Sequence, residues 1–345
     1  MAQAHTLQPG SRIRAAVLSH YFEVAGQLGL NPQSLLRKVG LTRAMLAAPA
    51  AHIPVTAVVD LLEDSAATSA CSTFGLQLAE ARQLADFGPI ALLLSHQPTL
   101  RAALSTIQQY RHLLNESLAM YVEDSGKLTL IREEVGVEGR PQARQATELA
   151  VGVLLLIFRT ALGPHWHPQA VHFVHTAPED LQVYRRLFRC PIHFESDFSG
   201  LVCATADLDR PNTQADAAMA RYAQSFLDAL PGPAQHSIVF EVRKSIYLLL
   251  PMGRASVEQI AQGLGMNVRT LQRRLEESAV SFSDLINEVR RELAHRYITA
   301  TAHPLGRIAE QLGYSNQSSF TRWFIGQFDT TPTELRSRPA LRRRS

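Results

Sequence analysis

One short pattern occurs twice between Ser256 and Phe324 of this 345-residue chain, and that repeat restricts the fold more than any other feature. The first copy reads I-A-Q-G-L-G-M-N-V-R-T-L-Q-R-R-L from Ile260 to Leu275, and the second reads I-A-E-Q-L-G-Y-S-N-Q-S-S-F-T-R-W-F from Ile308 to Phe324. Ile260, Ala261, Leu264 and Gly265 recur 48 positions later as Ile308, Ala309, Leu312 and Gly313. Beyond the turn the offset becomes 49, because the second copy carries one extra residue: Leu271, Arg273 and Leu275 then match Phe320, Arg322 and Phe324.

Each copy has the pattern of two helices meeting at a tight corner. Ile260 and Leu264 lie four apart on one face, and Gly265 supplies a backbone that tolerates positive φ. Asn267 is a good N-cap for a second helix, with Leu271 and Leu275 one turn apart on its buried side. In the second copy Gly313 makes the turn, Ser315 or Asn316 caps, and Phe320 with Phe324 forms the buried stripe. The polar faces of the second helices then carry Arg269, Gln272 and Arg273 in one, and Gln317, Ser318 and Arg322 in the other. Arg forks onto guanine and Gln pairs bidentately with adenine, so these side chains suit major-groove base edges. A single copy could equally be an ordinary solvated helix face. Two copies with Arg at the equivalent position favour DNA.

Between them, Phe282, Ile286, Val289, Leu293 and Tyr297 recur at helical spacing within Ser281 to Ala300. About 20 helical residues span roughly 30 Å, close to the ~34 Å repeat of B-DNA. One protomer is therefore expected to place two reading helices in successive major grooves.

On these residues the C-terminal part resembles the DNA-binding domain of the AraC/XylS family of bacterial transcription regulators. L-G-M-N-V-R-T-L-Q-R-R-L, L-G-Y-S-N-Q-S-S-F-T-R-W-F and the closing F-D-T-T-P-T-E-L-R (Phe328 to Arg336) carry the resemblance over about a third of the chain. Asp329 stands where the family usually has Gly, and Asp tolerates left-handed geometry better than most residues. Asn267 stands where Ser is frequent, and either caps. The resemblance implies contacts to bases or phosphates at Arg269, Gln272, Arg273, Asn316, Gln317, Ser318 and Arg322, with Arg273 and Arg322 the principal readers. It also implies RNA polymerase as a partner and a homodimer, formed through the N-terminal domain.

Charge is distributed in keeping with this. Residues 234–345 hold 16 Lys+Arg against 10 Asp+Glu, a net of +6, whereas residues 1–233 hold 18 against 21, a net of −3. That asymmetry assigns phosphate contact to the C-terminal part. The expected organisation is an α+β N-terminal sensor and dimerisation domain over 1–233, then an all-α DNA-binding domain with two helix-turn-helix motifs over 234–336, then a basic, solvated tail over 337–345. The P-G-P at Pro231 to Pro233 punctuates the boundary.

The first residues lack the apolar segment of a signal peptide, and the longest apolar run, Leu149 to Phe158, is too short to cross a bilayer. Cys71, Cys190 and Cys203 show neither metal-ligand spacing nor a disulfide framework. A cytoplasmic protein with no membrane association and no cofactor is expected.

Residues 11 to 85 read as helical. There Ala25, Leu28, Gly29, Asn31 and Leu35 imitate the first motif, with Arg37 where Arg273 falls, but Gln33 replaces Arg269 and apolar Leu36 replaces Gln272. A structural hairpin with shared turn chemistry is expected, not a third reader. Further on, Leu100 to Asn115 is a helix, Ala119 to Glu123 and Leu128 to Arg132 flank D-S-G-K as a hairpin, and Gln145 to Leu162 is a buried helix. Short strands follow at Val171 to His175, Pro191 to Phe194 and Leu201 to Ala204, with helices over Pro178 to Phe188, Asp216 to Leu230 and Ser237 to Leu250. Glu133 and Glu134 read as a solvated turn after a strand. The order of elements, P-I-H-F and the L-x-x-F-G stretch (Leu84 to Gly88) resemble the "arabinose-binding" type of N-terminal domain.

Ten of the thirteen histidines lie in 1–233. His172 and His175 differ in strand parity, which argues against a shared metal. No G-x-S-x-G, P-loop or H-E-x-x-H is present, so no catalytic residue and no metal ligand is assigned. The expected function is a sequence-specific regulator of transcription that binds double-stranded DNA and is controlled by a small-molecule effector. An enzyme or metal sensor tethered to DNA, or a DNA binder with no effector, are the alternatives.

Overall fold

The computed structural model describes residues 12–115, 117–135, 143–229 and 238–337. Pro231 to Pro233 and the basic residues after Ser337 lie outside them. The chain divides into two compact units. The first holds residues up to His172, Pro178–His193 and Ser199–Ala234; the second holds Gln235 onward together with Phe173–Ala177 and Phe194–Phe198.

The N-terminal unit begins with β1 (Arg12–Arg14), α1 (Tyr21–Gln27), α2 (Pro32–Lys38), α3 (Arg43–Leu46) and β2 (His52–Pro54). It continues through α4 (Val55–Ser69), α5 (Phe74–Ala81), α6 (Pro89–Ser95) and α7 (Leu100–Gln109). The segment expected to be wholly helical therefore contains a short antiparallel pair, with Ile13 opposite Ile53. Both isoleucines are buried; two three-residue strands are too short to print a period in the sequence. The imitation motif forms its corner: Gly29 has φ +69°, and the Asn31 side chain accepts a hydrogen bond from the Ser34 amide at 3.4 Å. Leu35 and Leu36 are both buried in the core. The helix expected to reach Asn115 stops at Gln109, and a tight 3-10 turn covers Arg111–Leu113.

Next come β3 (Leu118–Ser125), β4 (Leu128–Val135), α8 (Arg144–Leu162), β5 (Ala170–His172), α9 (Gln182–Phe188), β6 (Ile192–His193), β7 (Ser199–Ala204), α10 (Thr205–Leu208) and α11 (Ala217–Asp228). The five strands pair in the order β3-β4-β7-β5-β6, antiparallel except for the β5–β6 pair. The hairpin around D-S-G-K is present and longer than expected. Its second strand runs on to Val135, so Glu133 is a strand residue on the buried face, only 5% exposed. The reading of Glu133 as part of a solvated turn is thereby overturned: strand alternation places it with Thr129, Ile131 and Val135 on the covered side.

Helix α8 is the spine of this unit. By length and mean hydropathy (1.5) it could cross a membrane, although its longest unbroken apolar run is shorter. Here it is a core helix, with Leu149, Val151, Leu154, Leu155, Ile157 and Phe158 buried. Its close approach to α5 depends on small residues. A Cβ on Gly75 would lie 2.1 Å from the Gln145 carbonyl oxygen. Gly75→Ala is therefore expected to destabilise the N-terminal unit by about 1–3 kcal/mol, whereas Gly26→Ala, which meets nothing within 4 Å, is expected to be neutral or stabilising; thermal melts of the two variants check this.

Alongside it, Arg144 Nε donates to Glu148 at 2.7 Å and Arg144 also donates to the Tyr184 hydroxyl at 3.1 Å. Burial dominates over these contacts and pushes the Glu148 carboxyl up to about 7.

The C-terminal unit contains α12 (Ile238–Leu249), α13 (Val257–Gly263), α14 (Val268–Glu277), α15 (Phe282–Ala300), α16 (Leu305–Gln311), α17 (Gln317–Phe328) and α18 (Pro332–Ser337). One core joins them, built on Val242, Ile246, Ile260, Leu271, Leu275, Val289, Leu293, Tyr297, Ile308, Leu312, Phe320 and Phe324. Leu285 occupies the buried position at the start of α15, while Phe282 and Ile286 are half-buried beside it. Arg243 on α12 pairs with Glu288, at 2.9 Å, and with Glu292, tying α12 to α15.

Candidate nucleic-acid interface

The two repeats close their corners with the same hydrogen bonds. The Leu264 amide donates to the Ile260 carbonyl at 3.0 Å, and its counterpart Leu312 donates to Ile308 at 3.1 Å. Gly265 donates to Gln262 at 3.0 Å and Gly313 to Glu310 at 2.9 Å. Met266 donates to Ala261, and Tyr314 to Ala309, both at 2.8 Å. Gly265 and Gly313 have φ of +68° and +78°, a region where a Cβ is strained. The extra residue of the second copy is Ser315, after which Asn316 takes the cap. Asn267 accepts from the Thr270 amide and Asn316 from the Ser319 amide, each at 2.8 Å.

With the corners fixed, helical periodicity fixes which side chains face out. Leu271 and Leu275 are buried on α14, and Phe320 and Phe324 on α17. Arg269, Gln272 and Arg273, and Asn316, Gln317, Ser318 and Arg322, are all exposed. The aromatic side of α17 is closed by Tyr314, whose ring lies tilted against Phe320 and Trp323 at 5.8 and 5.5 Å between ring centroids. Arg290 holds that turn against α15: its guanidinium lies 5.1 Å above the Tyr314 ring and donates to the Leu312 carbonyl at 2.9 Å.

The exposed residues are not equally free. Arg273 donates to Glu277, one turn on, at 2.6 Å. Both side chains are exposed, so this pair is worth a few tenths of a kcal/mol, about 0.3–0.5, and exchanging it for a guanine edge costs little. Arg322 forms no ion pair among the described residues. Asn316 has its carbonyl oxygen committed to the cap, and its NH2 donates to the Ser315 hydroxyl at 3.3 Å, leaving one N–H as a donor. Thr321, half-buried, stands 49 residues after Gln272 at the equivalent position, where the repeat offset places it but its partial burial takes it off the fully polar face. Asp329 ends α17 with φ +51° and ψ +27°, in the left-handed region that Asp tolerates better than most residues.

The N-terminal unit contains a cavity of about 100 Å³. Its walls come from α4 (Val55, Val58, Val59, Leu62), α8 (Leu149, Ala150, Val153) and the hairpin β3–β4, which contributes Met120 and Glu133. Arg14 and Arg82 reach its rim with their hydrogen bonds largely spent on backbone carbonyls. Arg82 donates to Val17 at 2.8 Å and Ala16 at 3.0 Å, and Arg14 to Leu113 at 3.1 Å. Among the described residues no group of three or more His, Cys, Asp and Glu is placed to hold a metal ion. His172 stacks instead on His193, centroids 4.7 Å apart.

Comparison with known proteins gives two domain matches. Residues 29–212 match the family described as the arabinose-binding domain of AraC transcription regulator, N-term, and residues 260–338 match a helix-turn-helix domain. The chain is 31% identical to the HTH-type transcriptional regulator VirS of Mycobacterium tuberculosis over 333 residues, covering 96% of this chain and 98% of the relative. It is 23% identical to the ornithine utilization regulator of Pseudomonas aeruginosa, covering 92% and 94%. Among solved structures, the transcriptional regulator CdpR from Pseudomonas aeruginosa aligns with a TM-score of 0.44 at 20% identity, covering 92% of this chain and 98% of that one. The chain belongs to the AraC family of DNA-binding transcription regulators, which join an N-terminal ligand-binding domain to a C-terminal helix-turn-helix domain.

Proposed function

We propose that this regulator reads its operator with Arg273 and Arg322, each donating to a guanine in one of two successive major grooves. Arg269 and Gln272 support the first reader, and Gln317, Ser318 and the remaining N–H of Asn316 the second. The observation that carries this reading is the repetition of one hydrogen-bonded corner, which exposes an arginine at the same place twice. Helix α15, with 19 residues, is about 28 Å long, somewhat short of the ~34 Å repeat of B-DNA.

The protein acts as a homodimer in the cytoplasm, recruits or contacts RNA polymerase, and performs no catalysis of its own. An apolar face on α11 supports dimerisation: Met219, Tyr222 and Phe226 are exposed at helical spacing, Tyr222 to 67%. The cavity beside Glu133 supports control by a small effector. Footprinting the full chain on genomic fragments, with and without candidate metabolites, tests the reading. The expected result is protection of a few discrete sites, altered by at least one metabolite and weakening steeply with salt. Protection that follows fragment length alone contradicts it.

A further inference from the structure

Glu133 is a buried carboxyl whose Oε2 has no hydrogen-bond partner, and it lines the cavity of the N-terminal unit. An unpaired buried acid is costly, and a ligand that supplies the missing partner recovers that cost. We propose that this cavity is a binding site for a small, largely apolar amine, its hydrocarbon part packed between α4 and α8 and its ammonium group received by Glu133. This rests on the reading of the N-terminal unit as a ligand-binding domain, and gives that ligand a chemical class.

The remaining charged groups on the cavity wall are Arg14, Arg82 and Asp86. Asp86 accepts from the Gln83 amide at 2.8 Å and lies 3.1 Å from His20. Both arginines donate to backbone carbonyls, with the Arg82 Nε left without a partner. Glu133 is thus the one acidic group on the wall with an unmet hydrogen-bonding need. Burial alone pushes its carboxyl up to about 8, with no charged neighbour opposing it. An ammonium beside it would favour the carboxylate and form a charge-assisted hydrogen bond, about twice the strength of a neutral one. The volume of about 100 Å³ is somewhat below the roughly 150 Å³ of an apolar cavity that takes up benzene, so the fitting ligand is a short-chain amine.

The test uses the full chain, with n-butylamine, n-butanol and butyrate as probes in thermal unfolding at pH 7 and pH 9. Butylamine is expected to raise the N-terminal transition by roughly 2–4 °C at several times its Kd. The shift is expected to be larger at pH 9, where Glu133 is ionised and a Lys-like amine, with a pKa of about 10.4, remains charged. Glu133→Gln should abolish the shift. Ala150→Leu, which keeps the carboxyl but fills the space, should abolish it as well, and serves if Glu133→Gln fails to fold. An equal shift with butanol, a larger one with butyrate, no shift at all, or a butylamine shift that survives in both variants overturns the proposal. Selective DNA binding is measured on the same preparation. Intact selectivity without an amine response counts against the amine site alone, and absent selectivity counts against the regulator reading.

Discussion

Replacing both Arg273 and Arg322 by Ala is expected to lower affinity for the cognate operator by roughly 30-fold to 10⁴-fold, leaving binding to bulk DNA nearly unchanged. A bidentate arginine–guanine contact is worth about 1–3 kcal/mol of discrimination. The two arginines sit on separate helices, α14 and α17, and share no partner, so their losses add. Phosphate contacts would behave differently. Removing them weakens binding uniformly and reduces the salt slope by about one per contact. Titration of operator and competitor DNA over a range of salt separates the two: an unchanged slope with lost selectivity is expected, and a reduced slope with retained selectivity reassigns these residues to the backbone.

The second large effect is structural. Phe324 is fully buried in the C-terminal unit, edge-on to Phe320 at 5.6 Å and 4.3 Å from Phe328. Phe324→Ala removes the centre of that aromatic cluster and leaves a cavity, at a cost of about 3–5 kcal/mol. Domains of this size are stable by only about 5–15 kcal/mol, so the loss takes a large share. The C-terminal transition is expected to fall by at least ~12 °C, read through the fluorescence of Trp323, which sits in the same cluster. Ile325→Ala, on the exposed side of the same helix, is expected to change little. A drop of only a few degrees for Phe324→Ala would show that the second corner does not depend on this core.

The C-terminal unit was legible because its sequence states the same local rules twice. Gly at the corner, Asn at the cap and two large apolar residues one turn apart each have a single structural solution, and the repeat removes chance agreement. Asp329 was equally readable, since its left-handed backbone is one that Asp tolerates. The N-terminal unit was less so. Strands β1 and β2 have three residues each, and their pairing partners lie some forty positions apart, so nothing local signals them. Glu133 was misread because a charged residue at the end of an apolar alternation looks like a strand terminus. Only the sheet and the helix packed over it show that it faces inward. That misreading concealed the chemical feature of the cavity that bears most directly on its ligand.

Guanine methylation protection on the operator, compared between the wild-type chain and the single variants Arg273→Ala and Arg322→Ala, is the most direct measurement. Guanine N7 lies in the major groove, so the probe reports where each guanidinium sits. The expected result is two protected guanine positions about 10–10.5 base pairs apart, with each variant losing a different one. Both variants losing the same position, or both positions surviving in each, would contradict a pair of equivalent reading helices.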